Sequence, residues 1–329
     1  MNRGHHTPEG ADTRWWIAGP GQDESLRSIV ERAERLYGGP GDAFRRRLKP
    51  RATVPERETD LDSLSSRELW VLAHTVGVAP SDLFAHRLAD SPWLLHALQR
   101  RAYCPVCWKE DHRAGRPPGF RRTWAGVFVL RCPDHDVSLH WHAPHQSIDL
   151  ALNVPLRPRG RRAARLVRLI DEFARRFERA LRGSEPWPPR WHGNPSTARA
   201  LLMRCAANLG RVPELPPFSS VRGPPVLGGF VSVPTRRVEP LGDSPWECVR
   251  AMGLPAWRRA ALWMVASYVV PALKDTDRPE GLPARPFAAI DAQWAGMEPH
   301  ARGLRRTRRY REALQAACRR FEEMEGGPP

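Results

Sequence analysis

Tyr103-Cys104-Pro105-Val106-Cys107 is the most informative segment of the chain, because a matching Cys132-Pro133-Asp134-His135 follows it. Each segment separates two metal-ligand residue types by two positions, and each contains a proline that favours a tight turn. Together the segments offer four ligands, the number that a closed tetrahedral zinc site takes. The sequence therefore predicts one structural Zn²⁺ ion, held by Cys104, Cys107, Cys132 and His135.

The ligand count argues against a catalytic role for this metal. A catalytic zinc keeps one position open for water or substrate, whereas four protein ligands close the site. The enzyme alternative is a His-Asn-His nuclease, in which Asp134 and His135 act together with His145 and Asn153. Because His135 is already explained as a metal ligand, we expect no enzyme activity.

The charge balance is the second signal. The chain has 52 Lys and Arg against 36 Asp and Glu, a formal net charge of +16. Such an excess favours a polyanionic partner, usually nucleic acid, and the alternative is a solvated basic surface without a specific partner. The candidate phosphate contacts are arginines that cluster on the metal module, at the start of a long helix and in the last predicted helix. They are Arg121, Arg122, Arg161, Arg162, Arg165, Arg168, Arg305, Arg306, Arg308 and Arg309.

Nothing in the sequence predicts export or a membrane span. Residues 1–20 are polar and lack the apolar segment of a signal peptide. The longest apolar run, residues 260–273, is too short to cross a bilayer and contains Pro271. Cys205, Cys248 and Cys318 show no spacing typical of a disulfide framework. We expect a cytoplasmic protein with reduced cysteines and no membrane partner.

The N-terminal part is predicted to be helical. Residues 1–19 are predicted to be disordered, and residues 20–100 to form a helical region with a helix-turn-helix-like element. In that element Ser65 and Glu68 form a capping box for the first helix, and Gly77 provides the turn. A second helix is expected from Ser81 to Asp90, with His86 and Arg87 as its polar side chains.

The rest of the chain is predicted to be a zinc-ribbon β module over residues 101–146 and a basic helical C-terminal domain over 147–329. Within the module, residues 121–131 alternate loosely in hydrophobicity, which predicts strands bent at Gly126. The C-terminal domain is expected to contain Pro-rich loops, notably 211–245, between helices. Those helices are predicted at 161–182, 196–209, 246–252, 256–273, 290–297 and 304–325. The expected fold class is therefore mainly α.

An ordered set of motifs over residues 20–145 resembles the TniQ family, which includes the TnsD-type target selectors of bacterial transposons. In chain order the set comprises Pro20, Asp23-Glu24-Ser25-Leu26, a helix with Arg32, Thr75-Val76-Gly77, the Tyr103 to Cys107 segment, Trp124, the Cys132 to His135 segment and Leu139. The sequence departs from the family pattern at Ala79, where a Ser is common, and at Trp108, where an aliphatic residue is usual.

The resemblance implies an adaptor that selects where a transposon inserts and is not itself a nuclease. Such proteins recognise a DNA site or a CRISPR RNA-guided complex and recruit an AAA+ ATPase, TnsC, which engages the transposase. By position, the four Cys and His residues carry over as zinc ligands. The candidate partners are thus a TnsC-like ATPase, DNA, an RNA-guided complex and a second copy of the chain. A stand-alone zinc-containing DNA-binding regulator is the alternative.

Overall fold

The computed structural model confirms the mainly helical fold, and its described residues include a two-stranded sheet. It forms two compact units, Met1–Ser91 with Trp108–Thr123, and Pro92–Cys107 with Trp124–Pro329. The predictions for residues 1–19, 211–244 and 290–297, and for most of 304–325, lie outside the described residues, and the predicted domain boundaries remain predictions. The described residues are 20–21, 23–36, 60–89, 91–142, 147–153, 161–210, 245–270, 316–321 and 323.

Among its described residues, the first unit contains the helices α1 (Leu26–Leu36), α2 (Ser66–Val76) and α3 (Pro80–Phe84), a 3-10 turn at Leu61–Ser63, and the part of a further helix that follows Cys107. Apolar side chains at three- and four-residue steps face one another and form its core. This core comprises Leu26, Val30, Leu61, Leu64, Leu69, Leu72, Ala73 and Leu83.

The boundaries of α2 confirm the predicted capping. The Ser65 side chain accepts a hydrogen bond from the Glu68 N–H, and the Glu68 carboxylate accepts one from the Ser65 N–H at 2.8 Å. Gly77 ends the helix in the left-handed region at φ 70°, where its N–H donates to the Ala73 carbonyl. Both ends of α2 are thus determined by local sequence.

The prediction for the second helix is wrong in length. The helix was expected from Ser81 to Asp90, but α3 ends at Phe84. The backbone beyond it bonds to other elements: the His86 carbonyl accepts from the Leu26 N–H at 3.1 Å, and the Leu88 N–H donates to the Asp62 carbonyl at 2.8 Å. These tertiary bonds replace the helical ones.

We predict that Ser65→Ala lowers the free energy of unfolding by about 1 kcal/mol, because it removes the side-chain acceptor of the capping box. The measurement is urea unfolding followed by circular dichroism. Ser66→Ala is the matched control, since Ser66 is the exposed first residue of α2 and is not the cap. Equal destabilisation by the two substitutions would contradict the capping argument.

The second unit contains the sheet, in which β1 (Ala102–Tyr103) pairs antiparallel with β2 (His140–Trp141). The strands predicted over residues 121–131 are wrong. That segment contains a 3-10 turn, Arg122–Ala125, and isolated bridges to three separate parts of the chain. Its apolar residues are buried as expected, but the backbone does not pair with itself to form a hairpin.

Helix α4 (Pro105–Arg113) begins in the second unit, and its residues from Trp108 onward belong to the first. The other described helices of the second unit are α5 (Ile148–Leu152), α6 (Arg161–Leu181), α7 (Pro195–Gly210), α8 (Pro245–Arg250) and α9 (Pro255–Val269). Helix α6 confirms the predicted amphipathic helix, with Ile170, Phe173 and Phe177 buried. Helix α9 is buried along nearly its whole length. Among the described residues, no helix combines the length and apolar character needed to cross a bilayer.

Candidate metal centre

Pairing of the two short strands brings the two Cys/His segments to the same place. Strand β1 ends at Tyr103, immediately before Cys104, and Tyr103 pairs with His140 just downstream of the second segment. An additional antiparallel bridge joins Arg131 to Ser138 and closes the second segment into a tight hairpin. The four candidate ligands are therefore gathered by backbone pairing on either side of them.

The first segment leads from a strand into a helix. Cys104 follows β1, Pro105 begins α4, and Cys107 lies in the first turn of that helix. Proline suits the first helical position because the N–H that it lacks would have no helical acceptor. The Cys107 N–H donates to the Cys104 Sγ at 3.4 Å, and the positive end of the α4 dipole lies beside both sulfurs. Taken alone, this backbone hydrogen bond favours the thiolate form of Cys104.

The second segment is a turn with defined backbone geometry. The Cys132 N–H donates to the Val137 carbonyl at 2.9 Å, and the Asp136 N–H donates to the Cys132 carbonyl at 3.0 Å. Asp136 lies in the left-handed region at φ 48° and so reverses the chain after His135. The Arg131 Nε donates to the Asp136 carboxylate at 2.7 Å and holds that turn in place.

The four ligand atoms lie close enough together to surround one metal ion, all within 4.8 Å of one another. With metal bonds of about 2.3 Å to sulfur and 2.0–2.1 Å to nitrogen, a tetrahedral site separates two sulfurs by about 3.8 Å and sulfur from nitrogen by about 3.6 Å. The Cys107 and Cys132 sulfurs are 3.6 Å apart. The His135 Nδ1 lies 3.2 Å from the Cys107 Sγ and 3.7 Å from the Cys104 and Cys132 sulfurs. The donor set and its spacing fit a tetrahedral metal ion.

The thiols perturb one another strongly. Hydrogen bonds from Cys104 and Cys107 lower the pKa of the Cys132 thiol far below its usual range. For Cys104, the hydrogen bond with Cys107 lowers the pKa, but Cys132 and burial outweigh it and raise the pKa to about 11. The two thiols thus shift in opposite directions because they share hydrogen bonds. Binding of a metal cation would displace the remaining thiol protons, as is usual for thiolate sites.

The cluster is closed, which favours a structural role over catalysis. All three cysteines are buried and His135 is half-buried, so the four donors surround the site. The nuclease alternative needs His135 free for chemistry, but its Nδ1 faces the three sulfurs. His145, another residue of the nuclease alternative, lies outside the described residues.

A buried ionic network attaches this site to the helices of the second unit. Arg131, which holds Asp136, also lies 3.4 Å from the carboxylate of Asp171 on α6. Arg259 of α9 contacts the same carboxylate with two nitrogens, at 2.7 and 3.2 Å, and donates to the Leu130 carbonyl at 2.6 Å. The turn carrying two candidate ligands is thus fixed to α6 and α9.

Arg258 makes a second attachment to the same segment. The two N–H groups of its Nη1 are shared among the carbonyl oxygens of Gly126, Val127 and Val129, which lie 2.9–3.0 Å from that nitrogen. These bonds hold the irregular loop that was predicted to be strand. Sequence reasoning missed Arg258, Arg259 and Asp171. The available signal was the pair of arginines within the otherwise apolar sequence of α9.

The candidate nucleic-acid contacts differ in how the structure places them. Arg121 and Arg122 are half-buried. The backbone of Arg121 forms an isolated antiparallel β-bridge with that of Glu24. The Arg122 side chain donates to the Ala85 carbonyl, and its Nε lies 3.3 Å from the Asp23 carboxylate. The side chains of Arg161 and Arg162, and all of residues 305–309, lie outside the described part. Arg165 and Arg168 are exposed on α6.

Trp108, which follows Cys107 and stands where the family pattern has an aliphatic residue, packs in the interior. Its ring is buried, its Nε1 donates to the Gly119 carbonyl at 3.0 Å, and its centroid lies 5.5 Å from that of Phe120. The aromatic residue at this position is therefore buried and packs against Phe120.

Comparison with known proteins gives one match. Residues 16–139 match the model of the TniQ family, a range that contains all four Cys and His residues of the cluster. No curated protein and no solved structure matches the chain. The match covers the first unit and the metal cluster, and the earlier resemblance is confirmed over this span. The chain therefore carries a TniQ domain, the domain of a family of transposition-associated proteins.

Proposed function

We propose that the chain is a non-catalytic transposition adaptor, which recognises an insertion target and recruits an AAA+ ATPase of the TnsC kind. The observation that carries this proposal is the TniQ match over residues 16–139. The target would be a DNA site or an RNA-guided complex, and a second copy of the chain is a further candidate partner. The closed metal cluster supports an adaptor because its role is to hold structure together.

The metal in this proposal is Zn²⁺. Three thiolates and one imidazole form the soft and borderline donor set that zinc takes in closed tetrahedral sites. When bound, the ion supplies cross-linking and no reaction chemistry. It would join the end of β1, the first turn of α4 and the 131–138 hairpin.

The stand-alone regulator has weaker support. A DNA-reading helix needs several exposed polar side chains along its length, whereas α3 has five residues. His86, one of the two polar side chains expected on the second helix, is buried, and its Nδ1 lies 2.8 Å from the Glu24 carbonyl oxygen. That histidine has a structural role. We therefore keep the adaptor as the function that the observations support best.

Affinity purification of the tagged full chain from its native host tests the proposal. We expect an AAA+ ATPase to co-purify, to remain bound after nuclease treatment, and to be accompanied by either target DNA or guide RNA before that treatment. Reconstitution of the two purified proteins in a gel-filtration assay checks that the contact is direct. Recovery of DNA alone, with no ATPase in either assay, would reject the adaptor and favour the regulator.

A further inference from the structure

One side of α6 presents exposed arginines and no apolar core contact. Arg165, Arg168, Arg175 and Arg176 are all exposed, and they are called here the arginine face. At about 100° per residue these four positions fall within an arc of about 100°, opposite the buried Ile170. Glu172 is an exposed acidic residue within the same arc. The face therefore carries a net positive charge along a helix of 21 residues.

Arginines further along α6 form ion pairs, whereas two arginines of the arginine face act on an acidic group only at longer range. The pKa of the exposed Asp136 is lowered by its hydrogen bond with Arg131 and, to a smaller extent, by the charges of Arg168 and Arg175. Arg179 pairs with Glu185 at 2.6 Å, and Arg182 pairs with Glu178 at 2.5 Å. Within the described part of the chain, Arg168, Arg175 and Arg176 form no ion pair. Like charges on neighbouring helical turns repel one another, and a bound polyanion would neutralise them.

The face is held rigidly with respect to the metal cluster. Asp171, on the buried side of α6, bonds to Arg259 and lies 3.4 Å from Arg131 in the second Cys/His segment. Ligand contacts on a rigid element lose little conformational entropy on binding. The arginine face is thus a preorganised cationic surface beside the 131–138 hairpin.

The chemistry of the face favours duplex DNA among polyanions. Single-stranded nucleic acid is usually bound on exposed aromatic side chains, and the exposed large apolar residues of the described chain are Leu36, Trp70 and Phe84, none of them on α6. The deep, narrow major groove of A-form RNA does not admit a helix, whereas that of B-DNA, about 12 Å wide, does. Helix α6, at about 31 Å, is close to one turn of B-DNA in length.

We propose that the arginine face of α6 binds the phosphate backbone of duplex DNA, without reading its sequence. Phosphate contacts position a protein on DNA and leave base choice to other contacts. This inference rests on the proposed function, in which the chain acts at target DNA, and it assigns the surface that touches that DNA. It concerns residues 165–176, which lie outside the TniQ match.

The test compares three variants of the zinc-loaded full chain by fluorescence anisotropy with a duplex of about three helical turns, from about 50 to 200 mM salt. The first replaces Arg168, Arg175 and Arg176 by Gln, and the second replaces the same three by Lys. The matched control replaces three exposed arginines that are not on α6, Arg113, Arg190 and Arg319, by Gln, for the same change in net charge. Zinc content and circular dichroism verify folding.

For the first variant we expect the slope of log K against log salt to become shallower by about 2.7, which is 0.9 for each of three lost contacts. Its affinity at about 100 mM salt should fall on the order of 100-fold. The Lys variant and the scattered control should retain most of the affinity and slope. For the single variants Arg175→Gln and Arg176→Gln, the slope of log K against log salt should become shallower by about 0.9 each. These variants provide the test if the triple variant folds poorly.

Four results would overturn the inference. The scattered control could lose as much affinity as the face variant, the face variant could bind duplex DNA unchanged, or its loss could be confined to RNA or single-stranded DNA probes. Failure of the parent chain to bind duplex DNA would also overturn it. None of these results bears on recovery of the ATPase, so failure here is distinguishable from failure of the proposed function.

Discussion

Replacing Cys107 by Ser is expected to abolish stoichiometric zinc binding and to destabilise the second unit strongly. The Cys107 sulfur is central to the cluster, 3.6 Å from the Cys132 sulfur and 3.2 Å from the His135 Nδ1. Serine keeps the size but removes the thiolate, and structural zinc contributes about 10–16 kcal/mol to the folding of zinc-finger peptides. In this larger chain, packing outside the cluster also stabilises the fold. We therefore expect the free energy of unfolding to fall by about 3–5 kcal/mol, which corresponds to roughly 10 °C in Tm.

The measurements are zinc content by mass spectrometry after gel filtration and thermal unfolding by calorimetry. Cys248→Ser is the matched control, because Cys248 is half-buried and lies outside the cluster. The control should retain one equivalent of zinc and a nearly unchanged Tm. A Cys107→Ser protein that keeps one tightly bound zinc and the parental Tm would contradict the assignment of Cys107 as a ligand of a structural zinc. Chelation of the parent should reproduce the effect of the substitution.

The parts of this molecule that local sequence determines were predictable. The capping box of Ser65 and Glu68, the left-handed Gly77 and the apolar face of α6 each depend on residues within one or two helical turns. The metal cluster was also predictable, because metal-ligand chemistry restricts both residue type and spacing. For these features the pattern itself contains the physical cause.

The errors came from interactions between residues distant in sequence. The loop at 121–131 has the hydrophobicity of a strand, but Arg258 satisfies three of its carbonyls from a helix more than a hundred residues away. The predicted helix after Pro80 stops at Phe84 because the backbone beyond it bonds to Asp62 and to α1. Hydrophobic periodicity contains no information about such partners, so neither feature follows from pattern alone.

Arg259→Met is the second large effect that we predict, a loss of about 3–5 kcal/mol in the free energy of unfolding. Arg259 is 0% exposed and Asp171 is 2% exposed, and two nitrogens of the arginine contact that carboxylate. Methionine fills much of the volume but leaves a buried carboxylate whose remaining cation, Arg131, is 3.4 Å away. It also leaves the Leu130 carbonyl without this donor. Both consequences carry the desolvation cost of an unpaired buried polar group.

Urea unfolding of Arg259→Met, Asp171→Leu and the double variant measures this interaction as a cycle. Removing both charges should cost less than the sum of the two single losses. Each single variant leaves one buried charge without its partner, whereas the double variant removes the Arg259–Asp171 pair as a whole. Arg179→Gln is the control, since its pair with Glu185 is about half exposed on both sides and should be worth less than about 1 kcal/mol. If Arg259→Met cost no more than this control, the network could not be what fixes the 131–138 hairpin to α6 and α9. A loss of the expected size together with weakened zinc retention would instead show that the helices help to hold the metal ligands in position.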